Sequence, residues 1–387
     1  MQKYFAEFFA GVGLVREGLA ATGWECAWAN DISSEKAACY QTNYGAEHFH
    51  LGDLWQWENN PGHIPDKCSL WTASFPCTDL SLAGVRKGLA GAESGALHAF
   101  LAILAAKVAQ QLAPPLVMLE NVGGFLSSHK GADVAHTVRT LNQLGYVVDI
   151  IEIDAADFVP QSRQRIFVFA LKAALAEKMM QSPPGPQHTG RIRRVFADNP
   201  ELNWGHFDLA MPPRHKATLA DMIEPLPLDC APWWDESRKT KLWEQMFERH
   251  QDALKRMQTQ SGISFATVFR RMRDNISRAE LRFDGVAGCL RTPRGGSSKQ
   301  ILIQAGNGRW DVRLLTPREY ARLQGVRDSF QLPQNENQGY FAMADAVCVP
   351  VIEFLAQQII SPVVDQLCLV QSAATSPVET PVRSVSA

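Results

Sequence analysis

The sequence predicts an α/β protein in which one sheet is covered by helices on both faces and a smaller second domain is set into the chain. Three observations predict it. Over the first 172 residues, short apolar strand-like segments alternate with helix-like ones, the pattern of a sheet packed on both sides. The candidate functional residues fall mostly where those strands end, and ligands of open α/β sheets bind beyond the carboxyl ends of strands. From about residue 173 to 285 the alternation gives way to proline punctuation, arginines and amphipathic helix.

Residues 4–9 read as the first strand, followed by the turn Phe9-Ala10-Gly11-Val12-Gly13 and a helical stretch. A second strand over 25–30 leads to a helix over 34–43, and a third, short strand precedes Gly52-Asp53. Residues 69–74 and 116–119 supply a fourth and a fifth, and 146–153 and 166–171 complete the set. Pro183-Pro184-Gly185-Pro186 then interrupts the chain, and Arg191, Arg193 and Arg194 follow. Asp235 is placed to cap one helix in which Trp243, Phe247, His250, Leu254 and Met257 recur at helical spacing. Arg270, Arg271, Arg273, Arg278 and Arg282 add further charge. Domain boundaries are therefore expected at 172/173 and 285/286, with 286–368 returning to the first domain. A tail rich in Ser, Thr, Pro and Val over 369–387 is expected to be disordered.

Composition narrows the function classes. The 387 residues are 46% hydrophobic and 20% charged, enough for a full core. No uninterrupted apolar run of about eighteen residues occurs, so no membrane span is expected. Eight cysteines without a Cys-x-x-Cys pair argue against a zinc site and a disulfide framework, so no metal is expected and a reduced, cytoplasmic protein is. A net charge of −2 excludes a surface that is basic all over. A nucleic-acid partner would have to meet charge gathered on one face, and basic residues do cluster after residue 190.

The residues that carry chemistry are few. Glycines at 11 and 13 let backbone approach a ligand closely, and Asp31, about twenty residues on, stands where an acid can bind ribose hydroxyls. The third glycine of the dinucleotide fingerprint is missing, which speaks against a phosphate site. A ligand-free tight turn is the alternative. Asp53 could accept from an adenine amino group or simply form a turn. Pro76-Cys77 ends the fourth strand; a lone cysteine there is more often a small core residue than a nucleophile. A loop with Ser81, Gly84, Gly88, Gly91 and Gly95 follows, of the kind that can move over a substrate. Glu120-Asn121-Val122 ends the fifth strand, which places an acid in a crevice; a helix cap or a solvated charge is the alternative. In Gln161-Ser162-Arg163-Gln164-Arg165, arginines two apart on a strand point to one face and need anionic or carbonyl partners; taken alone, the motif fits a surface pair bridging ordinary carboxylates better.

Taken together, the order and spacing of these motifs resemble those of the DNA cytosine-5 methyltransferases. Two later segments extend the resemblance: Gly288-Cys289-Leu290-Arg291-Thr292-Pro293-Arg294-Gly295-Gly296, and Leu315-Thr316-Pro317-Arg318-Glu319-Tyr320-Ala321-Arg322-Leu323-Gln324-Gly325. It covers about residues 4 to 172 and 285 to 360. It implies a Rossmann-like S-adenosylmethionine-dependent methyltransferase sheet plus a target-recognition domain over 173–285. It also implies a catalytic set of Cys77, Glu120, Arg163 and Arg165. S-adenosylmethionine would lie across Phe9, Gly11, Gly13, Leu14, Asp31, Ile32, Asp53, Leu54, Pro76, Leu97 and Asp345. Ser81, Arg291 and Arg294 would meet double-stranded DNA.

The implied reaction begins with addition of the Cys77 thiolate to C6 of a flipped-out cytosine, which makes C5 nucleophilic. Glu120 would donate a proton or hydrogen bond at N3, and Arg165 would hold the base's carbonyl oxygen. A water held near Asn121 is one candidate to accept the C5 proton. The compact architecture fits a bacterial or phage origin; the resemblance implies a monomer of the restriction-modification type, with or without a cognate endonuclease as companion.

Two departures stand out. Ala344-Asp345-Ala346-Val347 occupies the place of Gly-Asn-Ser/Ala-Val, so Asp345 puts an acid where the family has an amide, and Ser94-Gly95 replaces a common Arg-Gly. The rivals are weaker. A tRNA-acting relative would carry Cys-Phe-Thr, which is absent. A non-catalytic binder is disfavoured by the intact catalytic set. A cysteine hydrolase lacks a recognisable histidine partner.

Overall fold

The computed structural model describes residues 3–58, 60–76, 95–230, 232–292 and 299–375, with side chains through Leu369. Strand β1 (Tyr4–Phe8) lies parallel between β2 (Glu25–Asp31) and β4 (Leu70–Ser74). Helices α1 (Leu14–Ala20) and α2 (Ser34–Tyr44) carry the chain through β2 to β3 (Phe49–Leu51), outside β2. Beyond β4, α3 (Ala96–Ala109) leads to β5 (Leu116–Asn121), also parallel. After α4 (Ala132–Gln143), β6 (Tyr146–Asp154) and β7 (Gln164–Lys172) close that edge as antiparallel strands. The order is β3-β2-β1-β4-β5-β7-β6. The winding direction reverses at β1, so a crevice opens beyond the carboxyl ends of β1 and β4.

Side-chain alternation fills both faces of this sheet. Leu116 and Met118 of β5 join one buried cluster and Val117 and Leu119 the other. α3 and α4 cover the second face. The first is covered by α1, α10 (Pro317–Leu323), α11 (Glu336–Asp345) and α12 (Val349–Leu355). By length and composition the helical run Glu336–Leu369 could cross a membrane, although its apolar residues are too interrupted to form an unbroken run. Here it is core: Ile352, Leu355, Ile359, Ile360 and Val363 are fully buried. A Cβ on Gly18 of α1 would stand 2.6 Å from Ile352, so glycine lets the two helices meet.

The second sheet is antiparallel, in the order β11-β10-β8-β9. Its strands are β8 (Ser264–Arg273), β9 (Ile276–Arg282), β10 (Ile301–Gly306) and β11 (Arg309–Leu314). Helices α8 (Glu236–Glu244) and α9 (Glu248–Thr259) bury Leu242, Leu254 and Met257 against Val268, Leu281, Ile301 and Ile303.

The expected boundaries need correction. β10 and β11 lie after 286 yet belong to the small sheet. Conversely, α6 (Gly190–Asp198) and α7 (Leu219–Met222) lie after 173 yet bury Ile192, Val195 and Leu219 in the large core, as α5 (Ala173–Met179) does Leu175. The single helix expected after Asp235 is two. Asp235 does cap α8, accepting from Arg238 N–H at 2.8 Å. The break follows because Gln245 O accepts from Ala279 N–H and Met246 pairs with Ala279, so that backbone serves β9. The tail expected to be disordered from 369 instead begins within α13 (Ser361–Thr375); 376–387 lie outside the described residues.

Asp149, on β6, pins the 180–207 segment to the large sheet. Gly185 N–H donates to His188 Nδ1 at 2.7 Å, leaving the ring proton on Nε2, 2.9 Å from Asp149 Oδ1. His206 Nδ1 and Phe207 N–H complete the set at 3.2 and 3.0 Å. The three side chains are close enough to hold a metal. Both His188 ring nitrogens are occupied by hydrogen bonds, however, so the cluster acts as a polar clasp. Burial alone would raise the Asp149 pKa, but the two imidazoles and the Phe207 N–H hold it below the usual range.

Glu7 on β1 is the opposite case. Burial pushes its carboxyl up to about 8 from an ordinary 4.5, against the pull of Arg16. The unfolded chain then binds fewer protons than the folded one between those values. Glu7 therefore contributes stability that is intact below 4.5 and is lost as pH rises toward about 8. Glu7→Gln is expected to remove a slope of up to about 1.4 kcal/mol per pH unit in that window. Urea unfolding at pH 5, 6.5 and 8 would measure it, and parallel wild-type and variant profiles would refute it.

Candidate active site

The crevice is built from strand ends. After β1 the backbone takes positive φ at Phe9 (55°), Gly11 (58°) and Gly13 (85°). Asp31, at the end of β2, fixes this turn: Oδ2 accepts from Gly11 N–H and Oδ1 from Ser33 N–H, both at 2.8 Å. The two glycines serve different ends. A Cβ on Gly11 would meet nothing within 4 Å, so this turn faces open space. A Cβ on Gly13 would stand 2.6 Å from Tyr44 and 2.9 Å from Tyr40, so Gly13 is glycine for packing as well as for φ. Asn30 Nδ2 donates to His50 O and Gly52 O at 2.8 and 2.9 Å, which brings the β3 turn alongside.

Asp53 then caps a short 3₁₀ turn, accepting from Trp55 N–H at 3.2 Å. Ile32 is 69% exposed just past Asp31, an apolar platform at the mouth. Leu14, Leu54 and Leu97 are buried beneath the surface. An open glycine turn, a fixed acid at the second strand end, an acid at the third and an exposed aliphatic side chain fit a nucleoside-bearing ligand such as S-adenosylmethionine. Asp345, the acid found in place of an amide, pairs with Lys36 Nζ at 3.0 Å and so has a compensating charge on α2.

The neighbouring strand ends carry the second half. Ser74 of β4 lies in register with Glu120 of β5. Asn121 Nδ2 donates to Phe75 O at 3.0 Å and its Oδ1 accepts from Val122 N–H at 2.8 Å. The Asn121 amide is therefore committed to holding the chain as it enters Pro76, rather than poised toward a water. Glu120 is buried, and its Oε1 is 3.0 Å from Arg165 Nε on the adjacent β7. Cys77, Ser81, Ser94 and Arg294 lie outside the described residues.

Arg163 and Arg165 have different described partners. Arg163, grouped with the catalytic residues from sequence, is buried, and its described partners include backbone carbonyls. Its Nη1 donates to Leu290 O at 3.2 Å, and its Nη2 to Ala344 O at 3.0 Å and Ala346 O at 2.6 Å. It grips the chain on both sides of Asp345. Sequence reasoning missed Gln161 as a partner in this frame. Fully buried, Gln161 donates to Leu323 O at 2.7 Å and accepts from Leu290 N–H at 3.3 Å. Its place at the head of the Gln-x-Arg-x-Arg motif was the available signal.

Cys289 reports the potential of this pocket. Burial would raise its thiol pKa, yet Arg163, Arg165 and the exposed Arg291 together pull it below the ordinary value. The arrangement joins a carboxyl and a guanidinium, held 3.0 Å apart, to a cationic pocket and an open glycine turn across the same crevice.

The sequence model described as C-5 cytosine-specific DNA methylase matches residues 4–361. The type II methyltransferase M.NlaX of Neisseria lactamica is 28% identical over 91% of this chain and 94% of its own length. M.HhaI of Haemophilus parahaemolyticus, also a type II methyltransferase, is 26% identical over 92% and 93%. Among solved structures, the S. pombe Dnmt2 methyltransferase superposes with a TM-score of 0.59 at 18% identity, covering 94% of this chain and 99% of that one. The Entamoeba histolytica methyltransferase EhMeth gives 0.58 at 15%, covering 95% and 99%.

Proposed function

This chain belongs to the C-5 cytosine-specific DNA methylase family, and from that premise we propose that it methylates C5 of cytosine within one short sequence of double-stranded DNA through a covalent Cys77 adduct. The observation that carries the reading is the Glu120–Arg165 pair at the end of β5, beside the strand end that leads into Pro76-Cys77 and in the same crevice as the glycine turn.

Phe9, Gly11, Asp31, Ile32 and Asp53 would hold S-adenosylmethionine, with Leu14, Leu54 and Leu97 supporting them from below. Bound there, it supplies the methyl group. A base stacked in a duplex hides both ring faces, so the target cytosine is flipped into the crevice. The Cys77 thiolate adds to C6, and the displaced electron pair makes C5 nucleophilic while charge builds toward N3. Glu120 donates a proton or hydrogen bond at N3. Arg165 steadies Glu120 and hydrogen-bonds the base's carbonyl oxygen. Once C5 carries the methyl group, transfer of its proton to water, return of the N3 proton to Glu120 and cleavage of the sulfur–C6 bond restore the aromatic ring and free Cys77 as the thiolate. Arg163 keeps the 290 and 344–346 segments in place throughout. Ser81, Arg291 and Arg294 contact the DNA in this reading. In this reading the enzyme acts on double-stranded DNA as a cytoplasmic monomer, with or without a cognate restriction endonuclease.

Incubating the wild type with a mixed duplex library and labelled S-adenosylmethionine, followed by bisulfite sequencing, tests this. Label fixed as 5-methylcytosine at one short motif is expected. A folded protein that binds the cofactor and leaves every duplex unmodified would overturn it.

A further inference from the structure

Two buried glutamines tie together segments that lie far apart in the chain. Gln161 and Gln324 both have no exposed surface. Gln161 Nε2 donates to Leu323 O at 2.7 Å and to Gln324 Oε1 at 3.2 Å, and its Oε1 accepts from Leu290 N–H at 3.3 Å. Gln324 Nε2 donates in turn to Met343 O at 2.7 Å and to Ala346 O at 3.1 Å. Both N–H groups and the oxygen of each amide are thus engaged. The partners also fix which way each amide points, because turning Gln324 over would set its oxygen against two carbonyls. A directed relay runs from residue 290 through 161 and 324 to 343 and 346.

The far end of the relay is a helix terminus. The last carbonyls of an α-helix have no partner within the helix. α11 ends at Asp345, and Ala346 then leaves extended (φ −76°, ψ 165°) rather than in the left-handed conformation that commonly closes a helix. Side chains supply the closure instead: Gln324 holds Met343 O and Ala346 O, and Arg163 holds Ala344 O and Ala346 O. The Gln324 main chain adds one more bond, its carbonyl accepting from Val349 N–H at 2.8 Å where α12 begins. Gln324 therefore brackets residues 343–349 at both ends. The bracketed turn carries Asp345, which Lys36 meets at 3.0 Å. Lys36 stands in the first turn of α2, just beyond the Ser33 N–H that Asp31 holds. The turn thus lies against the wall of the cofactor crevice, while Gln324 itself is buried behind it.

Resting on the methyltransferase reading, we infer that Gln324 is a positioning residue of the cofactor site: with Gln161 it holds the Asp345 turn where S-adenosylmethionine meets it, so that cutting the relay weakens cofactor binding and leaves the chemical step intact. A methionine at 324 keeps the length and bulk of the side chain but offers no amide. Two carbonyls and one Gln161 N–H then lose their partners inside the core, and the turn relaxes toward solvent to recover them. The Glu120–Arg165 pair does not lean on Gln324. It stands on the β5–β7 and β6–β7 ladders, with Glu120 in register with Phe167 and Arg165 with Ile153.

The experiment uses the full chain. S-adenosylmethionine affinity is measured by calorimetry without DNA, and kcat and KM for the cofactor on a mixed duplex library. Gln324→Met, Gln161→Met and the double variant are compared with wild type and with Leu141→Ala, a change in the buried core on α4, away from the relay. Gln324→Met is expected to raise Kd and KM at least about tenfold while kcat stays within about threefold. Gln161→Met leaves both carbonyl bonds of Gln324 in place and is expected to raise Kd by about threefold. The double variant is expected to match Gln324→Met, because a relay already cut loses nothing by a second break. Leu141→Ala is expected to lower stability and leave Kd within about twofold. A wild-type Kd in folded Gln324→Met would overturn the inference, as would an equal loss of affinity in Leu141→Ala or a fall in kcat with Kd unchanged. If Gln324→Met does not fold, a wild-type Kd in Gln161→Met overturns it. A wild type that binds the cofactor but methylates no duplex refutes the methyltransferase reading separately, and the calorimetric arm still decides Gln324.

Discussion

Cys77→Ala is expected to abolish methyl transfer, by about four to six orders of magnitude, while cofactor binding and the unfolding midpoint stay near wild type. The loss is that large because the thiolate creates the reactive C5, and an alanine side chain offers nothing that can add to C6. Glu120→Gln is expected to cost less, about 10²–10⁴-fold, since an amide still donates a hydrogen bond at N3 but delivers no proton. The decisive assay is adduct trapping. With 5-fluorocytosine at the target, C5 has no removable proton, so the protein stays attached to DNA on a denaturing gel. Wild type is expected to shift and Cys77→Ala to give no shifted band. Cys289→Ala, at the thiol Arg163, Arg165 and Arg291 pull down, is expected to keep the adduct. An adduct that survives Cys77→Ala and disappears in Cys289→Ala would move the nucleophile to the second thiol.

Much of this site was legible because its residues sit at strand ends. Strand position is a local signal, and seven apolar segments at the spacing of alternating strands and helices foretold the large sheet nearly to the residue: β5 was expected over 116–119 and ends two residues later. What local pattern cannot carry is membership. β10 and β11 alternate like any strand pair, and only their pairing with β8 and the β11-β10-β8-β9 order shows that they leave the large sheet. The arginines teach the same lesson. Arg163 and Arg165 are two residues apart and looked equivalent. Arg163 ends on carbonyls of residues 290, 344 and 346, between 127 and 183 positions away. Which backbone carbonyls a guanidinium meets is decided by those distant segments. Asp345, suspect from sequence, finds a partner in Lys36, 309 residues away, that no local pattern could show.

Glu319→Ala is expected to be the most destabilising single change in the described structure, at about 3–5 kcal/mol. The Pro-Arg-Glu segment that helped mark the family carries no reacting group; its glutamate is structural. Glu319 on α10 and Arg313 on β11 are both fully buried, with Arg313 Nη1 2.7 Å from Glu319 Oε2. The same carboxylate accepts from Thr316 N–H and Glu224 N–H, each at 2.8 Å, closing a capping box on α10. Arg313 Cζ also stands 5.2 Å from the Trp233 ring. One carboxylate thus joins the small sheet, the large core and the 224 segment.

Removing it strands a guanidinium without solvent, and the penalty is a large share of the 5–15 kcal/mol that typically holds a protein folded. Replacing both partners, as Arg313→Met with Glu319→Leu, is expected to cost less than Glu319→Ala, because no charge is left buried. Urea unfolding followed by circular dichroism measures both. A Glu319→Ala variant within about 1 kcal/mol of wild type would mean that water reaches the pair and that the small lobe is held to the large one by other contacts. A double variant worse than the single would mean that packing around Trp233, and not charge, sets the strength of the joint.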